Sequence, residues 1–434
     1  MSPPNTSPTL PPVPNKHSLL VVWFALFCDY TLMTIPIAIF PQLGKSSIMT
    51  GALFSTKAIL QIISSPFVAR YIDNYNLEPM ILGLMIESIS TIIFSLTSNY
   101  YFWCIARAIS GIASSLIISS GFLHIQRVYT TPTEMGHAMS TVATGIILGV
   151  TAGPPLGGVM YGSWEPLPFV FMVGLLAVAT GAANRLQYRK YGKGWGQGFE
   201  GGGGGNNDKE EFREKALALL SDANITVTLF SLFCANASIS CLESTFGRYM
   251  NTQFGFTVEQ TGLLYILGAL PSVIGSKLAG GLGNTYGRWR VVLLGMITQG
   301  IFFALGPKSS FTVEVISLLG LGFGMGLVDG CAPALLAQVT DLRHGGTGIV
   351  YTVNTMSIQL GFVVGPVAGS GIMQVKGFGF MSGVMGGFMV AASPMLLVNR
   401  NLPEVGEGEE EEEEAEVLVE MKGKVEGGRE GGMV

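Results

Sequence analysis

Apolar residues along this chain are gathered into twelve runs separated by short polar punctuation. The first six lie at about 18–41, 48–71, 79–97, 100–125, 137–161 and 167–185, and the second six at about 224–250, 259–283, 289–307, 311–338, 346–373 and 378–399. A helix that rises about 1.5 Å per residue needs roughly 20 apolar residues to cross a hydrocarbon layer of about 30 Å, and each run meets that length. The pattern predicts an all-α membrane protein of twelve transmembrane helices. Three polar stretches fall outside it. Residues 1–17 are proline-rich, with neither a charged n-region nor a small-residue cleavage site, and read as a disordered cytosolic arm. Residues 187–223 hold the glycine run 201–205 and the charged cluster DKEEFREK, the composition of a linker. Residues 401–434 open with the glutamates Glu409 to Glu414 and read as a disordered acidic tail.

The two sets of six runs repeat each other. FALFC before Asp29 returns as FSLFC at Phe230 to Cys234, TGALF at Thr50 to Phe54 returns as TGLLY at Thr261 to Tyr265, and LGVTAGPPLGG returns as LGFVVGPVAGSG. The offsets, 206, 211 and 212 residues, agree within the slack of a loop. Residues 18–186 and 224–400 are therefore expected to form two homologous six-helix halves.

Composition sharpens this picture in three places. Charged residues make up 12% of the 434 and mean hydropathy is +0.47, whereas a soluble chain carries roughly twice that share of charge. The five cysteines, at 28, 104, 234, 241 and 331, sit inside apolar runs as small hydrophobes. The four histidines, at 17, 124, 137 and 344, show no metal-ligand spacing, and no serine stands in a nucleophile-elbow context, so neither a metal site nor an enzyme is expected. The net charge of -5 owes much to the tail and gives no footing for nucleic acid. With the amino terminus in the cytosol, 17 of the 24 Lys and Arg fall on cytosolic segments, and Lys45, Arg248, Lys308 and Lys376 face the other side. The positive-inside rule then puts both termini and the linker in the cytosol.

Candidate chemistry begins with the glycine pattern. In GIILGVTAGPPLGG, Gly149, Gly153 and Gly157 recur every fourth residue, flanked by Pro154 and Gly158; the second half repeats Gly361, Gly365, Pro366 and Gly369, with Ser370 in place of the last glycine. Glycine at this spacing lets two helix backbones approach closely, and the proline frees a carbonyl, so the segments read as packing seams and hinges.

Ionisable residues inside the spans are the second signal, because each costs about 2.5 to 3.5 kcal/mol at mid-bilayer on insertion scales and needs a cavity or a partner. They are Asp29, Lys57, Glu87, Arg107, Glu243, Lys277 and Asp329. Asp29 is isolated in a first span otherwise free of charge. A rise of about 1.5 Å per residue places it roughly 16 Å from the cytosolic face and Lys57 roughly 12 Å below the opposite one, depths that overlap. Lys57 is expected to pair with Asp29 or with Glu243. Lys277 is near a cytosolic end and is expected to snorkel. Glu87, on a third span read as peripheral, is either a structural acid or one that stays protonated. Tyr30 and Phe246, beside two of the acids, either offer aromatic faces to a cation or simply pack.

The pattern GxxxGPxxGG resembles the antiporter motif of drug:proton antiporters in the major facilitator superfamily, and RAISG from Arg107 resembles that superfamily's fourth-span RxxxG motif. LFCDYTLMTIPI around Asp29, GALFSTKAILQ around Lys57, IARAISGIASS around Arg107, CLESTF around Glu243, GLVDG around Asp329 and the cytosolic DLRH at Asp341 to His344 are similar to the vesicular monoamine and acetylcholine transporters over nearly all spans. The resemblance implies the major facilitator fold. It implies that Asp29 meets the ammonium of an amine, that Lys57 belongs to a gating charge network, that Arg107 takes part in proton transfer, and that Glu243 and Asp329 serve substrate binding or proton coupling. The family's eleventh-span acid is missing, the stretch reading YTVNTMSIQLG with Asn354 and Thr355. The first loop is short, and in the second-to-third-span signature Asp73 survives without its usual arginine and glycines, while the counterpart GGLGNTYGR keeps Gly287 and Arg288.

The expected function is a secondary active transporter: a proton-coupled antiporter that exports or sequesters an amine or other organic cation by alternating access. It would be powered by a proton gradient, with no cofactor and no metal. A uniporter or proton-coupled facilitator of a neutral metabolite is the alternative, and a non-transporting solute sensor a third. The partners implied are a small-molecule substrate, protons and the lipid bilayer, with no nucleic acid. A monomer in the plasma membrane, or in a vacuole or vesicle membrane, is expected.

Overall fold

The computed structural model describes residues 16–43, 45–72, 75, 77–129, 132–191, 217–306, 310–344 and 349–402. Most of the expected arm, linker and acidic tail, with Asp73 and Lys308, lies outside these residues. Twelve long helices follow in order: α1 Lys16–Ile39, α2 Ser47–Ile72, α3 Glu78–Leu96, α4 Tyr100–Val128, α5 Pro132–Ser163, α6 Leu167–Tyr191, α7 Ala223–Phe254, α8 Val258–Tyr286, α9 Arg288–Leu305, α10 Phe311–His344, α11 Ile349–Lys376 and α12 Phe378–Ala392. Short 3₁₀ turns extend α1 over Phe40–Gln42 and α12 over Ser393–Asn401. No strand occurs among the described residues. All twelve expected spans are present, each long and apolar enough to cross a membrane.

The ends of the helices follow local chemistry. Thr257 opens α8 with a reciprocal capping box, its Oγ1 accepting from the Gln260 N–H at 3.3 Å while Gln260 Oε1 accepts from the Thr257 N–H at 3.1 Å. Gly255 closes α7 at φ +68°, a left-handed turn that a side chain would strain. α6 runs to Tyr191, beyond the expected boundary at 186, because Gln187 is buried and donates from Nε2 to Glu78 Oε1 at 3.0 Å.

Each half has its own core: Leu26, Met80, Ile117 and Met172 belong to the first, Leu232, Val292, Leu335 and Leu396 to the second. Within a half, α1 packs along α5 and α7 along α11; between the halves, α2 meets α11 and α5 meets α8. Outside these cores, Phe67, Leu96, Val178, Leu270 and Val375 are more than half exposed. On a soluble protein so many exposed apolar side chains would mark interaction patches, but on membrane helices they face lipid.

The glycine pattern positions the inner helices. Gly149, Gly153 and Gly157 lie against the backbone of α1, and a Cβ on Gly149 would stand 2.7 Å from the Phe27 carbonyl oxygen. Gly361, Gly365 and Gly369 lie against α7, where a Cβ on Gly361 would stand 2.8 Å from both Ala237 N and the Phe233 carbonyl oxygen. Thr34 Oγ1 donates to the Gly149 carbonyl at 3.4 Å, and Ser240 Oγ, 206 residues on, donates to the Gly361 carbonyl at 3.1 Å. The prolines face the opposite half. Gly262 of α8 lies against the Pro154 carbonyl and Gly51 of α2 against the Pro366 carbonyl, so the TGALF and TGLLY repeats mark where the halves touch. Hydrogen bonds between the halves gather at that same end: Gln42 Nε2 to Thr261 Oγ1 at 2.8 Å, the Ile48 N–H to Gln374 Oε1 at 3.2 Å, Ser55 Oγ to the Val363 carbonyl at 2.7 Å, and Arg248 to the Lys45 carbonyl.

Candidate functional site

Of the two partners open to Lys57, the structure brings Asp29. Lys57 Nζ lies 3.4 Å from Asp29 Oδ1, with the side chains 3% and 1% exposed, and Ser114 Oγ of α4 donates to the same oxygen. Lys57 reaches α1 because α2 comes very close to α4: Gly111 sits against the Lys57 carbonyl and, with a Cβ, would meet Gln61 N at 3.1 Å. This gives the RxxxG motif a physical account. Its glycine lets the Lys57 backbone approach, and its arginine, one turn away, enters the site.

Arg107 is 3% exposed. Its Nη1 donates to the Met33 carbonyl at 3.3 Å, and its guanidinium stacks 5.2 Å from the centre of the Phe54 ring. It lines a small cavity with Met33, Phe54, Lys57, Gln61 and Glu243, among others, with room for about one water molecule. Arg107 from the first half and Glu243 from the second thus face the same space with opposite charge, close enough to act on one another.

The remaining candidates separate. Asp329 is half-buried and accepts from Asn236 Nδ2 at 3.2 Å. Asn236 precedes Glu243 by seven residues, about 10 Å along α7, so Asp329 belongs to a second polar station and not to the cavity around Lys57. Phe246 is 1% exposed and packs edge-on to Tyr265 at 5.5 Å, so it offers no face to a ligand. Lys277 is exposed near the end of α8. Glu87, read as peripheral, is fully buried, and Ser110 Oγ donates to its Oε1 at 2.7 Å. Phe54, Gln61, Ser110, Ser114 and Gln359 complete the site, and none of them stands out in the sequence. Helical spacing from a charged residue, Ser110 three and Ser114 seven positions after Arg107, is the signal that points to the α4 members.

Two helical halves with buried charges at their junction have the build of a membrane transporter. The Major Facilitator Superfamily model matches residues 20–239 and 228–426, and the chain belongs to that superfamily. The chain is 30% identical over 365 residues to the chromaffin granule amine transporter of Rattus norvegicus, covering 83% of this chain and 67% of the relative. It is 28% identical over 369 residues to the synaptic vesicular amine transporter of Mus musculus, covering 83% and 68%. Among solved structures, a bacterial homologue of the human lysosomal transporter Spinster, inward-facing and occupied, superposes with a TM-score of 0.68 at 14% identity, covering 89% of this chain and 96% of that one. A nucleoside transporter gives 0.66 at 11% identity, covering 89% and 99%. At such identities the structures speak for the fold alone.

Proposed function

We propose that this protein exchanges an amine or other organic cation for protons across a vesicle or vacuole membrane, with both termini and the mid-chain linker on the cytosolic side. The observation that carries the reading is the buried Asp29–Lys57 pair, whose lysine stands on α2, a helix packed against α11 of the other half. A carboxylate there holds a cation at every stage: Lys57 in the present arrangement, an ammonium substrate when one enters, or a proton. Species that compete for one negative group cannot occupy it together, and that competition is what exchange requires. Arg107 and Glu243, on opposite halves, supply a charge contact that forms or breaks as the halves rock. Phe54 keeps an aromatic face beside them. The relatives named as amine transporters favour an amine over a neutral solute.

The energy source is the proton gradient. Cation uptake therefore runs against the substrate gradient only when the compartment receiving the substrate is the more acidic. The test is uptake of radiolabelled phenylethylamine into proteoliposomes with and without an acidic interior. Accumulation that collapses when the gradient is dissipated supports the reading. Equal uptake in both conditions points to a uniporter, and transport of a neutral nucleoside in preference to the amine overturns the substrate class.

A further inference from the structure

Glu87 is a fully buried acid of the first half that the exchange just described does not use. It stands on α3 with its side chain fully enclosed; Oε1 accepts from Ser110, and Oε2 is buried without a partner. The charged groups that act on it are Lys57 of α2, Asp29 of α1 and Arg107 of α4. α6, on the far side, presents the apolar Phe169, Met172, Leu176 and Ala179.

The second half shows what this position does when it is only structural. Gly83 lies against Ile117, and Gly295, 212 residues on, lies against Val328; four residues later stand Glu87 and Gln299. Gln299 Nε2 donates to the Ala235 carbonyl at 3.0 Å and to Ser238 Oγ at 2.7 Å, and Ala235 is the counterpart of Asp29. The position therefore reaches the first helix of its own half. A neutral amide serves there as packing glue, whereas the first half places a carboxyl with an open oxygen among two cations and an acid.

We propose that Glu87 is a second proton-carrying residue of the transport cycle: it releases its proton and becomes the counter-ion of Lys57 when a substrate cation displaces Lys57 from Asp29. The inference rests on the amine-exchange reading above. Before binding, ionised Asp29, Lys57, Arg107 and a protonated Glu87 sum to one positive charge. After binding, the ammonium sits on Asp29, the Glu87 O–H bond breaks, its proton passes to cavity water, and the carboxylate left behind pairs with Lys57. One cation has entered, one proton has left, and the buried charge is unchanged. Without that release, the ammonium, Lys57 and Arg107 would face only Asp29 and, across the junction, Glu243, one cation in excess in a low dielectric. The acid missing from the eleventh span, where Asn354 and Thr355 stand, is thereby replaced from the third.

The experiment uses the full-length protein in detergent and trimethylphenylammonium, whose charge does not vary with pH. Binding is followed by calorimetry and proton release by an indicator dye. The wild-type affinity is expected to rise about tenfold per pH unit while Glu87 is protonated, the slope of one proton exchanged, with release on binding. Glu87→Gln should flatten the slope and release about one proton fewer. If Glu87→Gln releases as many protons per bound cation as wild type, the proposal is overturned while amine exchange stands. If wild type does not bind the cation, the amine reading falls and this one with it. Should Glu87→Gln not fold, Ser110→Ala decides. Loss of the donated hydrogen bond disfavours the carboxylate and moves the affinity curve to higher pH, and an unmoved curve overturns the proposal.

Discussion

The crossing of α2 with α4 and the crossing of α8 with α10 are built alike and equipped differently. In the first, Gly111 lies against the Lys57 carbonyl; in the second, Gly322 lies against the Gly268 carbonyl, each residue displaced by 211. Around the first crossing stand Asp29, Lys57, Glu87 and Arg107. Their counterparts around the second are Ala235, Gly268, Gln299 and Leu318, all without charge. The two candidate acids of the second half, Glu243 and Asp329, fall where the first half has Ile37 and Ile118 in the repeat. Duplication has thus supplied the close backbone approach twice, and ionisable chemistry has been placed on each copy separately. A transporter whose halves must rock needs the symmetry of the scaffold. If the protein exchanges cations as proposed, its site draws on the asymmetry of the charges.

The largest effect should come from removing the charge that defines the asymmetry. Asp29→Asn keeps the shape and loses the negative group, and a buried charge contact of this kind is worth about 2 to 5 kcal/mol. Phenylethylamine uptake per correctly inserted molecule should fall by roughly a hundredfold or more. Wild-type uptake by correctly inserted mutant protein would show that the acidic crossing is not the cation site. Moving the charge, by combining Asp29→Asn with Ala235→Asp, should not restore transport, because the second crossing has no lysine at 268 to release.

Stability gives the next comparison. Lys57→Ala leaves Asp29 buried without its ammonium, a loss of about 3 to 5 kcal/mol, whereas Lys57→Ala with Asp29→Asn removes both members and is close to neutral. Thermal unfolding in detergent should therefore rank the double variant above the lysine single. The corresponding pair with Glu243→Gln should show no such rescue, since Glu243 faces Arg107. If the Glu243 double is rescued and the Asp29 double is not, the pairing at 3.4 Å is not the one that operates in solution.

Much of this architecture is legible in the amino-acid sequence. The repeat offsets in LGVTAGPPLGG and TGALF give two halves because helix contacts of this closeness leave glycine behind in the sequence, and charges inside apolar runs are conspicuous by their cost. Which charges meet is not legible there. Lys57 has two acids in reach by depth, and the choice is made by the rotation of α2 against α4 at Gly111, a relation between helices that no spacing along one chain records. Glu87 reads as peripheral for the same reason: its burial depends on Gly83 drawing α3 onto α4. Phe54, Gln61 and Gln359 are residue types found on any membrane helix, and only their convergence on one cavity distinguishes them.

A smaller effect tests whether the two crossings share one packing rule. Gly111→Ala and Gly322→Ala each put a methyl group into a neighbouring backbone carbonyl, an overpacking that costs about 1 to 3 kcal/mol. Both should lower the unfolding temperature by similar amounts. Transport should separate them. The first displaces Lys57 from Asp29 and should reduce uptake well beyond its loss of folded protein, while the second should reduce uptake only in proportion to that loss. Equal uptake per folded molecule would mean that the Lys57 crossing is a scaffold like its counterpart.

The smallest predicted effect concerns the seams and not the charges. Thr34 and Ser240 are counterparts, each donating to the glycine that opens the motif facing it, and a buried hydrogen bond of this kind contributes about 0.5 to 1.5 kcal/mol. The two are not equal. Thr34 Oγ1 lies nearer the Tyr30 carbonyl, at 2.9 Å, than the Gly149 carbonyl at 3.4 Å, so most of its bonding stays within α1. Ser240 Oγ divides itself evenly, 3.2 Å from the Ala237 carbonyl and 3.1 Å from that of Gly361, so more of its bonding ties α7 to α11. Ser240→Ala should therefore destabilise more than Thr34→Ala, by several tenths of a kcal/mol within the range for one hydrogen bond. The two seams share no partner, so the double variant should equal the sum of the singles to within about 0.5 kcal/mol. A larger departure from additivity would reveal that the seams communicate, as they would if each half's inner helices moved as one piece against the prolines of the other.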